Sequence, residues 1–272
     1  MKNIIFALLA VLLCAASPLA AAEEHLLLSM QPSAPPEQQA AMLAPLAEKL
    51  SAVFGAPVRT VLLQNAAEYE AELLRGGITV GYQSPLTYVR ASDRHEVLAT
   101  AAQGKGGSQQ RGIIIVRPEA GISKIEELRG KKVMIVSRNS AGGFLSQKKS
   151  LREQGLEPGR DFELLEAAAG REENVIIAVS LGDADAGFIS EGSLRKADRF
   201  IVPGSVAELM KTAPLPGWAL SVSRELPQER KESLRAMLTQ LAEDDPALKA
   251  LGITSFQAAA DADYDVVRNL TE

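Results

Sequence analysis

The stretch KKVMIVSRNSAGGFLSQKKSLREQG, residues 131–155, is the one from which the fold follows. KVMIVS, 132–137, carries the apolar run 133–136 with β-branched members, which predicts a buried strand. Arg138-Asn139-Ser140-Ala141-Gly142-Gly143 is polar and then small, as a tight turn requires. The pattern beyond Phe144 is helical and stops at Gly155. Strand, small-residue turn and helix make a βα unit whose turn presents backbone N–H groups at the positive end of a helix. Such a turn either cradles an anion or is only a sharp bend. Ser140 carries its single hydroxyl between Arg138 and Phe144.

The same grammar recurs on both sides. HLLLSM (25–30), PVRTVLLQN (57–65) and ITVGY (78–82) read as strands. Between them, helical stripes run through Met42, Leu43, Leu46, Leu50, Val53 and Phe54, and through 66–77. Pro45 is expected to kink the first helix or to begin it. A helix starts at SPLTYVRASD, with Pro85 in its first turn. Further on, 111–121, 161–167, 184–190 and 199–205 read as strands, 123–131 and 171–183 as helices. His95 falls in what reads as a charged loop. The long amphipathic helix 226–244 carries Leu234, Met237, Leu238 and Leu241 on one face, and 261–270 is a helical tail. Alternation of this kind gives α/β architecture with mixed, mostly parallel sheets. Glycine-rich QGKGGSQQRG (103–112) is either a hinge or an ordinary exposed loop.

Composition narrows the function. Met1-Lys2-Asn3, the apolar run 4–16 and Ala20-Ala21-Ala22 predict a signal peptide over 1–22, cleaved on export to the periplasm. Leu13 precedes Cys14 where a lipoprotein signal needs a small residue, so a lipid anchor is disfavoured. Cleavage removes the only cysteine, which leaves neither a disulfide nor thiol chemistry. The remaining chain of about 250 residues is long enough to bury a core without staples. With 29 basic and 34 acidic residues and a net charge of −5, no basic stripe offers a nucleic-acid surface. No nucleophile elbow, His-Glu-x-x-His or Cys/His metal spacing is present, so catalysis, metal and cofactor are not expected.

In order along the chain stand PLAEKLSAVFGAPV (45–58), YEAELLRG (69–76), SPLTYVRA (84–91), GISKIEELRGKKVMIVSRNSAGGFL (121–145), LREQGLEPGRDF (151–162), AVSLGDADAGFISEG (178–192) and DADYDVVRNL (261–270). This ordered set resembles the periplasmic substrate-binding proteins of ABC importers for phosphate, phosphite and phosphonates. The resemblance implies a two-lobed type II binding-protein fold with the ligand cleft between the lobes. Residues 23–110 with 215–272 would form one lobe, and 111–214 the other. It further implies a monomer that captures a small anionic solute by lobe closure and hands it to an inner-membrane ABC permease. Alternatives are a sensor that reports to a membrane receptor and, less favoured, a secreted enzyme.

In that family the turn matching 140–143 usually reads Ser-Thr-Ser-Gly and grips a phosphorus oxyanion. Here Ser140, Ala141, Gly142 and Gly143 keep the amides but lose two hydroxyls. The family commonly has an oxyanion-contacting histidine just before the helix matching 172–181. This chain has Gly170-Arg171-Glu172 there. Arg171 is either its replacement, since guanidinium grips oxyanions bidentately, or a solvated charge. Tyr82, Gln83 and Ser84 stand at a strand's C-terminal end, where α/β proteins bind ligands. Tyr88 is either a second aromatic wall or a core residue. Gln31 occupies the matching junction after the first strand. Glu191 resembles an acidic position that receives amino groups in aminophosphonate binders. Trp218, the only tryptophan, either lines the cleft or packs beside the hinge.

Overall fold

The structure, a computed structural model, describes residues 26–104 and 107–271. The expected signal peptide, 1–22, lies outside them. The chain opens with β1 (Leu26–Met30), α1 (Pro36–Phe54), β2 (Val58–Thr60), α2 (Ala66–Arg75), β3 (Val80–Gln83), α3 (Pro85–Ala91) and β4 (His95–Ala102). Helix α1 begins at Pro36, where a missing N–H costs nothing, and continues through Pro45 without a break in its assignment. Its stripe Leu43, Leu46, Leu50 and Phe54 is buried as the spacing requires. Strand β4 corrects the reading of His95 as a loop residue: the imidazole is completely buried.

The chain then crosses to a second sheet with β5 (Gln109–Val116), β6 (Lys132–Ile135), α4 (Ser146–Glu153), β7 (Glu163–Glu166), α5 (Glu172–Leu181), β8 (Ala186–Ser190), α6 (Glu191–Leu194) and β9 (Ala207–Pro216). It returns through β10 (Ala219–Ser223), α7 (Gln228–Thr239), α8 (Pro246–Leu251), β11 (Ser255–Ala258) and α9 (Asp265–Arg268). Residues 199–205 are not a strand. Pro203-Gly204 turns the chain there and leaves Val202 exposed, so the strand forms later, at β9.

Two mixed sheets result, ordered β11-β4-β10-β3-β1-β2 and β7-β6-β8-β5-β9. The parallel pairs β1–β2, β1–β3, β6–β7 and β6–β8 come from the βα units. The antiparallel pairs involve β4, β5, β9 and β10, the strands that carry the chain between sheets, and their partners. At the crossings Gly217 N–H donates to Ser108 O at 2.7 Å and Ala101 N–H to Trp218 O at 2.8 Å. A Cβ at Gly217 would lie 2.2 Å from Ala101 O, so only glycine lets the crossing strands touch.

Helices α1, α7 and α8 cover one face of the first sheet. The main core of the second sheet is built around Ile114, Val133, Ile135, Phe144 and Phe188. It also takes in Leu86 from α3 and Val267 from α9, so elements before and after the second sheet's strands pack against it.

A candidate ligand-binding cleft

Strand β6 delivers the chain to the turn. Residues Ala141–Leu145 wind with π spacing before α4 continues, with Ser140 at the N-cap. Ser140 Oγ accepts from Gly143 N–H at 2.9 Å, and Ser140 O accepts from Leu145 N–H at 2.9 Å. Among the described residues the N–H groups of Ala141 and Gly142 have no protein acceptor, although both residues are buried. Two adjacent donors without a protein acceptor at the positive end of a helix are suited to an anion. A side chain at Gly143 is excluded, because its Cβ would stand 2.4 Å from Val136 Cγ2.

Gln147, which sequence reasoning missed, fixes the turn from behind. It is fully buried, and the two N–H of its amide nitrogen are shared among Gly142 O at 2.8 Å, Ile189 O at 3.1 Å and Ile113 O at 3.2 Å. Engaging the Gly142 carbonyl holds that part of the turn against β5 and β8. Nothing in the sequence pattern marks this glutamine, since two of its three acceptors come from strands 34 and 42 residues away.

On the side of the first sheet, Tyr82 packs on Trp218 at 5.2 Å between ring centroids and edge-on to Phe256. Tyr82, Trp218, Gln103, Gln109, Gly192 and Arg195 line a cleft beside the crossings. Burial holds the Tyr82 hydroxyl above the ordinary tyrosine range, so it is a neutral phenol. Helix α3 meets the turn directly. Leu86 shares a core with Ala141 and Phe144, and Arg90 Nη2 donates to Asn139 Oδ1 at 3.1 Å.

The remaining candidates separate. Gln31 Oε1 accepts from Ser84 N–H at 3.0 Å, and Ser84 Oγ caps α3 through Thr87. Both side chains are thus spent on fixing the start of α3 and are not among the residues that line the cleft. Gln83 alternates with Tyr82 along β3, so its side chain takes the other face, where Tyr69 Oη donates to Gln83 Oε1 at 2.8 Å and Gln83 Nε2 donates to Ser221 Oγ at 2.7 Å. Tyr88 is core: it is fully buried, packs edge-on to Tyr264 and donates to Asp261 at 2.6 Å. Glu191 is ion-paired with Lys211 at 3.2 Å, with Arg195 at 3.7 Å. Arg171 is exposed at the N-cap of α5, with no side-chain partner among the described residues. Its neighbour Glu172 turns inward and accepts from Ser190. Adjacent residues at a helix start point about 100° apart, so spacing alone does not tell which faces the site.

The family model for the ABC-transporter phosphonate periplasmic substrate-binding protein matches residues 28–264. The chain belongs to that family. It is 26% identical over 256 residues to the phosphate-import protein PhnD of Mycolicibacterium smegmatis, across 84% of this chain and 79% of that one. XAC2383 from Xanthomonas citri, solved with chloride, superposes with a TM-score of 0.76 at 21% identity, over 90% of this chain and 95% of its own. PhnD1 from Prochlorococcus marinus, solved with methylphosphonate, gives 0.75 at 14% identity, over 91% and 97%. These last two likenesses establish the two-lobed type II fold. Members of the family are periplasmic binding components of transporters, not enzymes.

Proposed function

We propose that the protein captures a small phosphorus oxyanion, phosphate or a simple phosphonate, on the turn 140–143 and delivers it to an ABC permease. Residues 1–22 are removed on export, and the mature chain works as a monomer. Segments 23–110 and 215–272 form one lobe and 111–214 the other, and they close on the ligand. The observation that carries this reading is the pair of unpartnered N–H groups at Ala141 and Gly142, beside the Ser140 hydroxyl. Ser140 Oγ uses a lone pair on Gly143 and keeps its O–H to donate. Tyr82 and Arg195 line the neighbouring cleft beside the crossings, where Arg195 shares its charge with Glu191. The names of the relatives, one a phosphate importer and one solved with methylphosphonate, point to the same ligand chemistry.

A thermal-shift series with phosphate, phosphite, methylphosphonate, sulfate and small carboxylates tests this. A phosphorus oxyanion at 100 times its dissociation constant should stabilise the fold by about 2.7 kcal/mol. A melt that moves with a neutral organic solute and with no phosphorus anion contradicts the proposal.

A further inference from the structure

Glu172 lies in the first turn of α5, and its Oε2 accepts from Ser190 Oγ at 2.6 Å and from Ser190 N–H at 3.3 Å. Ser190 ends β8 directly beside the turn: a Cβ built at Gly142 would stand 3.6 Å from Ser190 Cβ. A serine hydroxyl has one proton and two lone pairs. At Ser190 the proton is committed to Glu172 and Ser193 Oγ stands 3.4 Å away as a donor to one lone pair, so toward the turn the oxygen offers only its remaining lone pair. The site therefore has donors on one side, at Ala141, Gly142 and Ser140, and an acceptor backed by a carboxylate on the other.

We propose that Glu172, acting through Ser190, makes this site select oxyanions that keep a proton over fully deprotonated ones. The inference rests on the reading of the turn as the anion site. Hydrogen phosphate and a phosphonate monoanion can accept from the amides and donate their O–H to Ser190 Oγ. Sulfate can only accept. It sets a lone pair against the lone pair of Ser190 Oγ, a repulsive contact where the protonated anion makes a hydrogen bond. Glu172 is a positioning residue here, since it fixes which way the serine proton points.

The test is calorimetric titration of the full exported chain with phosphate, methylphosphonate and sulfate across pH 5 to 9. Wild-type protein should prefer phosphate to sulfate by about a hundredfold, the scale of one charge-assisted hydrogen bond gained against one lone-pair repulsion. Its methylphosphonate affinity should fall as the ligand loses its second proton. In Glu172→Gln the side-chain amide can donate to Ser190 Oγ and free the serine proton for the ligand. The phosphate preference should then shrink at least about tenfold and the pH profile flatten. Wild-type affinities for phosphate and sulfate within about threefold, or a pH-independent methylphosphonate affinity, overturn the inference while leaving the turn as the site. Equal weakening of all three anions in Glu172→Gln also overturns it, since that is what a purely structural role produces. If neither phosphate nor methylphosphonate binds at any pH, the anion site itself is wrong and the inference falls with it.

Discussion

At Gly143 a side-chain carbon would stand 2.4 Å from Val136 Cγ2, whereas at Gly142 the nearest atom is 3.6 Å away, at Ser190 Cβ. Two adjacent glycines thus have opposite tolerances. Gly143→Ala forces Val136 and the turn apart and should cost about 1–3 kcal/mol, read as a lower denaturant midpoint. Gly142→Ser fits in ordinary van der Waals contact and adds a hydroxyl beside the unpartnered amides. It should keep the fold's stability and tighten phosphate binding about tenfold, as one added hydrogen bond to a charged ligand would. A Gly142→Ser protein with unchanged affinity would place the ligand elsewhere. At this scale the sequence was readable for Ser140, whose cap position follows from the strand–turn–helix pattern. It was not readable for Tyr88, whose fate depends on Tyr264 and Asp261 arriving from the far end of the chain.

Strand β4 shows what pattern alone misses among the elements. Asp93-Arg94-His95-Glu96 reads as a charged loop, yet pairing with β10 buries His95 and lets Lys231 of α7 neutralise Glu96 at 2.9 Å. His95 Nδ1 lies 3.0 Å from Ser221 Oγ, in a chain of polar contacts that runs through Gln83 to Tyr69. Its Nε2 has no hydrogen-bond partner among the described residues. Burial, with the nearby Arg224 charge adding to it, lowers the imidazole from its usual 6.5 to about 4, and the Ile78 backbone offsets this only in part. A base whose folded pKa is depressed costs nothing above pH 6.5. The unfolded chain takes up the proton first as pH falls, so stability drains away between pH 6.5 and about 4. The loss from this one group is about 3 kcal/mol. Urea melts at pH 7, 5.5 and 4 should show it, and His95→Asn should flatten that part of the profile. An equal acid slope in the variant would assign the loss to other groups.

For the molecule as a whole, alternation of strands and helices was enough to give an α/β fold. Its division into two sheets was harder to read, because it rests on β4 pairing with β10 and β5 with β9 across more than a hundred intervening residues at their outermost pairs. The same long-range closure assembles the cleft. Tyr82 comes from β3 and Trp218 from the return crossing between β9 and β10, while Leu86 and Arg90 of α3 reach the turn that β6 delivers. The donors that define the proposed site are backbone groups, which residue types alone do not reveal. The central claim is that the amides of Ala141 and Gly142 hold a phosphorus oxyanion. Its most direct test is a methylphosphonate titration of isotopically labelled protein, followed through backbone amide resonances. The account predicts large, saturable shifts at Ala141 and Gly142, weakened together in Ser140→Ala. Saturable binding that leaves those two amides unmoved would contradict it.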